Sequence, residues 1–161
     1  PAPINRNIPL LSDYNNGMKT FKFSLPIDVR YGDLDPQWHV NHTRFLTYLE
    51  QTRISYLSHL GLFDGKDFFN LKLIVADVQI SYLAPIHLHQ NVAAFMCCDK
   101  IGNKSMTFLY EIRDLDDGKV LATSKTIMVG YDYRNQIAVP ISDEWRETIS
   151  AFEGVDFSRK S

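Results

Sequence analysis

The spacing of apolar positions in the first half of the chain predicts a strand followed by a long helix. Phe21, Phe23 and Leu25 alternate with polar neighbours, which is the period of a β-strand. The strand predicted over Lys19–Tyr31 is interrupted by Pro26. Because proline cannot donate a hydrogen bond to a neighbouring strand, the pattern predicts an edge strand that is bulged or broken at Pro26.

The helix is predicted directly after a polar loop over residues 32–42. From Thr43 onwards, leucine and tyrosine residues recur at spacings of three, four and seven, which gives one broad apolar face. Asn41 is a suitable N-cap, and Gly61 is a suitable terminator. These signals predict a helix of about 18 residues, roughly 27 Å long.

Four runs rich in β-branched and aromatic residues follow the helix. Short turns separate the runs, so we expect antiparallel pairing between consecutive strands. Residues 92–98 are apolar at every position, which indicates that both faces of the sheet are covered. Ser142 is suited to begin a short final helix. The four predicted strands are Lys72–Leu83, Val92–Lys100, Ser105–Arg113 and Val120–Tyr133.

This element order predicts an α+β fold with a curved antiparallel sheet wrapped around one helix. A single helix cannot cover both faces of such a sheet, so we expect an oligomer that buries the remaining surface. The predicted organisation is a peripheral arm over residues 1–18, one domain over 19–141, and a short helix and tail over 142–161.

Composition narrows the classes of function. The chain has 161 residues, 45% of them hydrophobic, and a formal net charge of −2, so no basic field favours nucleic acid. No run approaches the ~18 to 20 apolar residues of a membrane span. Cys97 and Cys98 are adjacent and would point to opposite faces of a strand, so we expect two buried thiols rather than a disulfide. Unpaired cysteines also favour a cytoplasmic location.

Candidate chemistry is concentrated ahead of the helix. Asp33, Asp35, His39 and His42 lie within ten positions of each other. A carboxylate there can act as a general base toward water or as a nucleophile on an activated carbonyl. The alternative is structural, since an aspartate before proline, as at Asp35, often only satisfies loop amides. The His-x-x-His spacing lies across a loop rather than on one helical face, so we expect no metal site.

The start of the helix supplies the complementary groups. The first N–H groups of a helix have no intrahelical partner, and the helix dipole adds a partial positive charge. If Asn41 is the N-cap, the backbone N–H groups of His42 and Thr43 are candidates to stabilise an oxyanion.

The segment RYGDLDPQWHVNHTRFLTYLEQTR resembles the signature of the 4-hydroxybenzoyl-CoA thioesterase-like branch of the hot-dog-fold thioesterases. The similarity continues through VADVQISYLAPIHLHQNV and covers most of residues 20–135. It implies a hot-dog fold and hydrolysis of an acyl-CoA at a dimer interface, usually within a tetramer. It implies no cofactor besides the CoA of the substrate.

The resemblance also implies roles for particular residues. Asp35 matches the catalytic carboxylate, and the backbone amide that polarises the thioester falls on His42. Tyr31 matches an aromatic position that lines the site, and Glu50 is a weaker rival carboxylate on the helix. The family usually has glycine where this chain has Trp38, so the size of the acyl group cannot be carried over.

The resemblance also implies that the CoA phosphates bind near the turn IGNKS, because family members often bind pantetheine or phosphate at the start of this strand. Lysine commonly meets phosphate at a protein surface. Two alternative functions stay open, an acyl-carrier-protein thioesterase and a non-catalytic acyl-CoA-binding module. The residues expected to bind substrate are Tyr31, Trp38, His39, Asn41, Thr43, Glu50, Tyr82, Lys104 and Ser105.

Overall fold

The structure of the protein, a computed structural model, describes residues 20–159. The predicted arm over residues 1–18 lies outside the described residues. Two single-turn 3-10 helices, Tyr31–Asp33 and Phe68–Leu71, accompany the main elements. The main elements are β1 (Phe23–Ile27), α1 (His42–His59), β2 (Leu73–Tyr82), β3 (Val92–Ile101), β4 (Ser105–Asp114), β5 (Val120–Asp132), β6 (Ile137–Ala138) and α2 (Asp143–Glu153).

The six strands form one antiparallel sheet in the order β1-β3-β4-β5-β2, with the short β6 paired to β5. The four long strands agree with the predicted runs to within one residue at each end. The sheet curls around α1, whose apolar face lies in the main core. This is the hot-dog fold. In the described part of the chain, no helix is long and apolar enough to cross a membrane.

Strand β1 confirms one prediction and corrects another. It is an edge of the sheet, as Pro26 indicated, but it is shorter than the predicted Lys19–Tyr31. Pro26 does not break the strand, because it keeps its register opposite Ala93 of β3. An edge position tolerates proline, since the missing N–H can fall on the unpaired side. Tyr31 belongs to a 3-10 turn rather than to the strand.

The predicted helix is confirmed with both of its end signals. The Asn41 side chain accepts a hydrogen bond from the Thr43 N–H at 3.0 Å, and Gly61 follows the helix with a φ of 72°. Tyr56 and Leu57 are fully buried against the sheet. This packing holds the C-terminal half of α1 against the sheet.

Strand β3 is buried on both faces, as its composition predicted. Ala94 and Met96 belong to the core beneath α1, whereas Ala93, Phe95 and Cys97 form a second cluster on the opposite face. The two cysteines therefore point to opposite faces of the sheet, and both are buried without forming a disulfide.

Helix α2 begins at the predicted cap, where the Ser142 hydroxyl accepts from the Trp145 N–H at 3.3 Å. Its last residue, Glu153, enters the core. The Glu153 carboxylate accepts a 2.7 Å hydrogen bond from the Tyr56 hydroxyl and a 2.8 Å bond from the Cys98 N–H. This contact joins α2 to both α1 and the sheet.

Candidate active site

The loop ahead of α1 is a small hairpin with a three-residue turn. Leu34 and Val40 form an antiparallel bridge, and the Asp35 N–H donates to the carbonyl of His39 at 3.0 Å. The Trp38 N–H donates to the Asp35 carbonyl at 3.0 Å, which closes the turn. The hairpin therefore holds Asp35 on one arm while the other arm runs directly into the helix.

The Asp35 carboxylate lies at the mouth of this turn. Its Oδ1 accepts from the Gln37 N–H at 2.9 Å, and its Oδ2 lies 3.4 Å from His39 Nδ1. One carboxylate oxygen of Asp35 therefore satisfies a loop amide, which is the structural role expected of an aspartate before proline. The other oxygen faces an imidazole that can orient it. The two contacts hold the carboxylate in place, and a carboxylate held in this way can act as a general base.

Asp33 has different surroundings. Its carboxylate is 2% exposed and accepts from the backbone N–H of Arg30 at 3.0 Å and from the Tyr48 hydroxyl at 3.0 Å. The Arg30 guanidinium lies 3.2 Å away. Burial raises the pKa of Asp33, but the hydrogen bonds from Arg30 and Tyr48 outweigh it and hold the pKa below its usual range. Arg30 immediately precedes the 3-10 turn and Tyr48 lies on α1, so the Asp33 carboxylate fixes this turn and joins it to the helix.

We expect Asp33→Asn to lower the free energy of unfolding by about 1 to 3 kcal/mol, because it leaves the backbone N–H of Arg30 and the Tyr48 hydroxyl poorly paired. The folded-state pKa of Asp33 is depressed, so its contribution is complete above the ordinary pKa of 3.8 and is lost as the pH falls through the folded value. Denaturant titrations of both proteins at neutral and acid pH measure this. An equal difference at pH 7 and pH 2 would contradict it.

The first turn of α1 leaves one backbone donor uncommitted. Asn41 Oδ1 accepts from both the N–H and the hydroxyl of Thr43, at 3.0 and 2.7 Å. The Thr43 amide is therefore used by the cap. The His42 N–H has no hydrogen-bond partner among the described residues. Of the two amides predicted as oxyanion donors, only that of His42 is available.

Tyr82 connects the end of edge strand β2 to this turn. Its hydroxyl donates to the His42 carbonyl at 3.1 Å. Its ring stands edge-on to the rings of His42 and Phe45, at 6.4 and 5.0 Å between centroids. Tyr82 therefore lies at the helix start, where the sequence placed it among the substrate-binding residues.

The two aromatic residues predicted to line the site also lie together. The rings of Tyr31 and Trp38 are 6.4 Å apart between centroids. Trp38 has a φ of 64°, in the left-handed region. The sequence marked Trp38 as unusual but did not reveal its backbone conformation.

Three predicted residues lie elsewhere in the monomer. Glu50 is eight residues beyond His42, about 12 Å along the helix. Its carboxylate lies 3.9 Å from the guanidinium of Arg53. Ser105 pairs with Val129 of β5, whereas Tyr82 pairs with Ala122 of the same strand. Seven residues separate these two positions on β5, about 23 Å along the strand.

Lys104 shares the distant end of the sheet with Ser105. Its ammonium donates to the carbonyl of Ala138 at 2.9 Å. Within one chain, the turn IGNKS and the helix start are therefore at opposite ends of the sheet.

Sequence reasoning missed three supporting residues. Tyr48 was given no role, although its hydroxyl donates to the Asp33 carboxylate at 3.0 Å. Arg30 completes the same cluster, and His87 forms a bridge with His39 from the segment after β2. Tyr48 lies on the side of the helix that faces the loop, but no sequence pattern near it indicated a hydrogen bond to Asp33. Within residues 20–159, no group of three His, Cys, Asp or Glu side chains is placed to hold a metal ion.

Comparison with known proteins identifies the family. The sequence model of the Thioesterase-like superfamily matches residues 29–149, which is about three quarters of the chain. The chain belongs to this superfamily. Its relatives include the long-chain acyl-CoA thioesterase FadM of Escherichia coli, 28% identical over 123 residues, or 76% of this chain and 93% of FadM. An uncharacterized Bacillus subtilis protein, YsmA, is 26% identical over 130 residues, or 81% of this chain and 86% of YsmA.

Solved structures agree with this assignment. A Thermus thermophilus thioesterase, crystallised with coenzyme A and Zn, has a TM-score of 0.74 and 28% identity. The alignment covers 85% of this chain and 98% of that one. A thioesterase-superfamily protein from Jannaschia has a TM-score of 0.76 at 23% identity, covering 86% of this chain and 87% of that one, and supports the fold alone. The protein is a thioester hydrolase of the hot-dog fold.

Proposed function

We propose that the protein is an acyl-CoA thioesterase in which Asp35 is the base or nucleophile and the His42 backbone N–H binds the thioester oxygen. The proposal rests on the backbone N–H of His42, which lies at the start of a helix and has no hydrogen-bond partner among the described residues. Six residues, most of them in the hairpin, connect it to Asp35. A donor placed where negative charge develops stabilises the transition state by roughly 3 to 4 kcal/mol.

In the general-base route, Asp35 removes a proton from water as the water oxygen attacks the thioester carbon. The carbonyl oxygen gains the negative charge and is held by the His42 N–H. Collapse of this intermediate breaks the carbon–sulfur bond and releases CoA, which takes up the proton as a thiol. His39 orients the Asp35 carboxylate through the 3.4 Å contact. Only residues of the chain, water and the substrate take part.

In the nucleophilic route, an Asp35 oxygen attacks the thioester carbon and the carbon–sulfur bond breaks, so CoA leaves as a thiolate that takes up a proton from water. A water molecule then hydrolyses the mixed anhydride. A single turnover in heavy-oxygen water detects an anhydride that water opens at the Asp35 carbonyl. Direct attack by water puts the label in the acid product. The anhydride route, with water attacking the Asp35 carbonyl, leaves the label in the Asp35 carboxylate, where mass spectrometry of the peptide detects it.

Two relatives support the CoA moiety of the substrate, namely the long-chain acyl-CoA thioesterase FadM and the Thermus thermophilus thioesterase bound to coenzyme A. We expect the purified protein to release free thiol from at least one member of a panel of short, aromatic and long-chain acyl-CoAs. Matched acyl groups on an acyl carrier protein provide the comparison. Hydrolysis restricted to the carrier-bound groups would favour the alternative substrate, and ligand binding without hydrolysis of any thioester would contradict the proposal.

We further propose that the active unit is a dimer formed through the free edge of β2. Nine of the ten residues of this strand are exposed or half-buried in the monomer. Val75 and Val78 lie opposite Met128 and Thr126 of β5, and Met128 belongs to the core beneath α1. These two exposed valines therefore extend the apolar, helix-side face to the edge. Such an edge is a template for pairing with a second chain.

A two-fold axis across this edge makes the pairing antiparallel. Pairing over the whole strand places Tyr82 opposite the partner's Leu73, and both side chains face the helix side. The partner's end of the sheet that carries Lys104 and Ser105 then approaches the helix start of the first copy. The predicted CoA-binding residues would thus act across the interface, which accounts for their distance from His42 within one chain.

We expect Val78→Lys to dissociate the dimer, because it places a charge in the apolar helix-side face of the edge. Gln79→Lys is the matched control, since the adjacent side chain points to the other face of the sheet. Sedimentation velocity measures the assembly and also distinguishes a dimer from the expected tetramer. A monomeric native protein with full activity would contradict the proposed interface.

A further inference from the structure

Trp38 occupies a position whose backbone conformation favours glycine. It is the third residue of the hairpin turn and has a φ of 64°. Three-residue hairpin loops place their third residue in the left-handed region, where a side chain clashes with its own backbone. Glycine would adopt this conformation without strain. The backbone therefore gives no reason for a tryptophan at this position.

Packing within the chain gives no reason either. The Trp38 residue is 66% exposed, and its neighbour Tyr31 is 72% exposed. Their rings are inclined at 60° with centroids 6.4 Å apart, so they form one continuous aromatic surface. Trp145, the other tryptophan, is half-buried against the core. Two adjoining exposed rings leave apolar area in water, which is unfavourable until something covers it.

The loop that carries the ring is held on both sides. The Trp38 N–H donates to the Asp35 carbonyl at 3.0 Å, and the Trp38 carbonyl lies 3.4 Å from His87 Nδ1. Two residues on, the Val40 N–H donates to the carbonyl of Ile86 at 2.7 Å. The ring is therefore presented on a fixed support beside Asp35 rather than on a free loop tip.

We propose that Trp38, together with Tyr31, forms an apolar wall that binds the acyl group and favours bulky apolar acyl groups, aromatic or long-chain, over small ones. The inference rests on the proposed acyl-CoA thioesterase function. Asp35 and Trp38 are the ends of a four-residue turn, so their Cα atoms lie within about 7 Å. The wall therefore stands near the thioester carbon. The adenine of CoA is separated from that carbon by the whole pantetheine arm.

Tryptophan fluorescence tests the contact directly. In Asp35→Asn, which slows hydrolysis, we expect benzoyl-CoA or palmitoyl-CoA to reduce acrylamide quenching of Trp38 by about twofold, since a covered indole is shielded from solvent. Acetyl-CoA and CoA alone should leave the quenching unchanged. The variant Asp35→Asn/Trp38→Phe retains only Trp145 and should show no change. Equal shielding by CoA alone would overturn the assignment to the acyl group.

Steady-state kinetics distinguish an aromatic wall that binds bulky acyl groups from an aromatic lid that blocks them. We expect Trp38→Gly to fold, because glycine suits the left-handed backbone. It should lower the ratio of kcat/KM for benzoyl-CoA to kcat/KM for acetyl-CoA about tenfold, which corresponds to a loss of ~1.4 kcal/mol of binding free energy. The change should lie mainly in KM for benzoyl-CoA, and Trp38→Phe should restore most of it. An unchanged or increased ratio would overturn the proposal, because a lid that blocks bulky groups predicts an increase. A wild-type protein that hydrolyses no acyl-CoA would instead refute the proposed function.

Discussion

Replacing Asp35 with asparagine should lower kcat for acyl-CoA hydrolysis by at least about a hundredfold, since a positioned general base contributes roughly 10²- to 10⁴-fold. Asparagine keeps the size of the side chain, and its amide oxygen can still accept from the Gln37 N–H, the bond that Asp35 Oδ1 makes at 2.9 Å. The turn should therefore survive while the basic oxygen is lost. Stopped-flow measurement of thiol release, at substrate concentrations well above KM, isolates kcat from binding.

Glu50→Gln is the matched control for this experiment, because Glu50 is the rival carboxylate on the helix. Its side chain is 69% exposed and its ion pair is with Arg53. We expect the glutamine variant to retain kcat within about threefold, as typical of a surface substitution outside a reacting group. A loss confined to the Glu50 variant, with full activity in Asp35→Asn, would reverse the assignment of the carboxylate.

The second large effect is expected from His42→Pro. His42 is the first residue of α1, a position where proline is well tolerated because its missing N–H has no intrahelical partner. Asn41 precedes it with a ψ of 136°, which is the extended conformation that proline requires of its predecessor. The substitution therefore removes the proposed oxyanion donor and keeps the helix. We expect kcat to fall by about 10²- to 10³-fold.

His42→Ala separates the amide from the imidazole, because alanine lacks the ring and retains the N–H. We expect its kcat to exceed that of His42→Pro by at least about tenfold, the difference that a retained backbone donor should make. Circular dichroism and thermal unfolding establish that both variants keep α1. Equal kcat values in the two variants would show that the amide is not the donor and that any loss comes from the ring.

Most of the fold could be predicted from the sequence because its signals are local. Asn41 and Gly61 mark the ends of α1 with side-chain and backbone chemistry that acts within a few residues. The long strands are bounded by turns, and the uninterrupted apolar run in β3 correctly indicated that this strand is buried on both faces. The length of β1 was predicted wrongly, because alternation continues past Ile27 although the pairing with β3 ends there.

The site was less predictable because it depends on distant partners. Nothing near Asp33 indicates that Tyr48 lies 3.0 Å from it, or that His87 will pair with His39. The sequence could not show whether the His42 or the Thr43 N–H is available to bind an oxyanion. The structure shows that the Thr43 N–H donates to the Asn41 side chain of the N-cap. The left-handed conformation of Trp38 likewise follows from the closed hairpin rather than from its residue type.

Asp35 and the His42 amide are proposed to act on the same thioester carbonyl. The decisive measurement is thiol release from one acyl-CoA by the wild type, Asp35→Asn, His42→Pro and the double variant. Groups that act as a unit are strongly non-additive, so we expect the double variant to be within about tenfold of the slower single variant. Losses that multiply fully in the double variant, or a wild-type rate no greater than that of either variant, would contradict the claim.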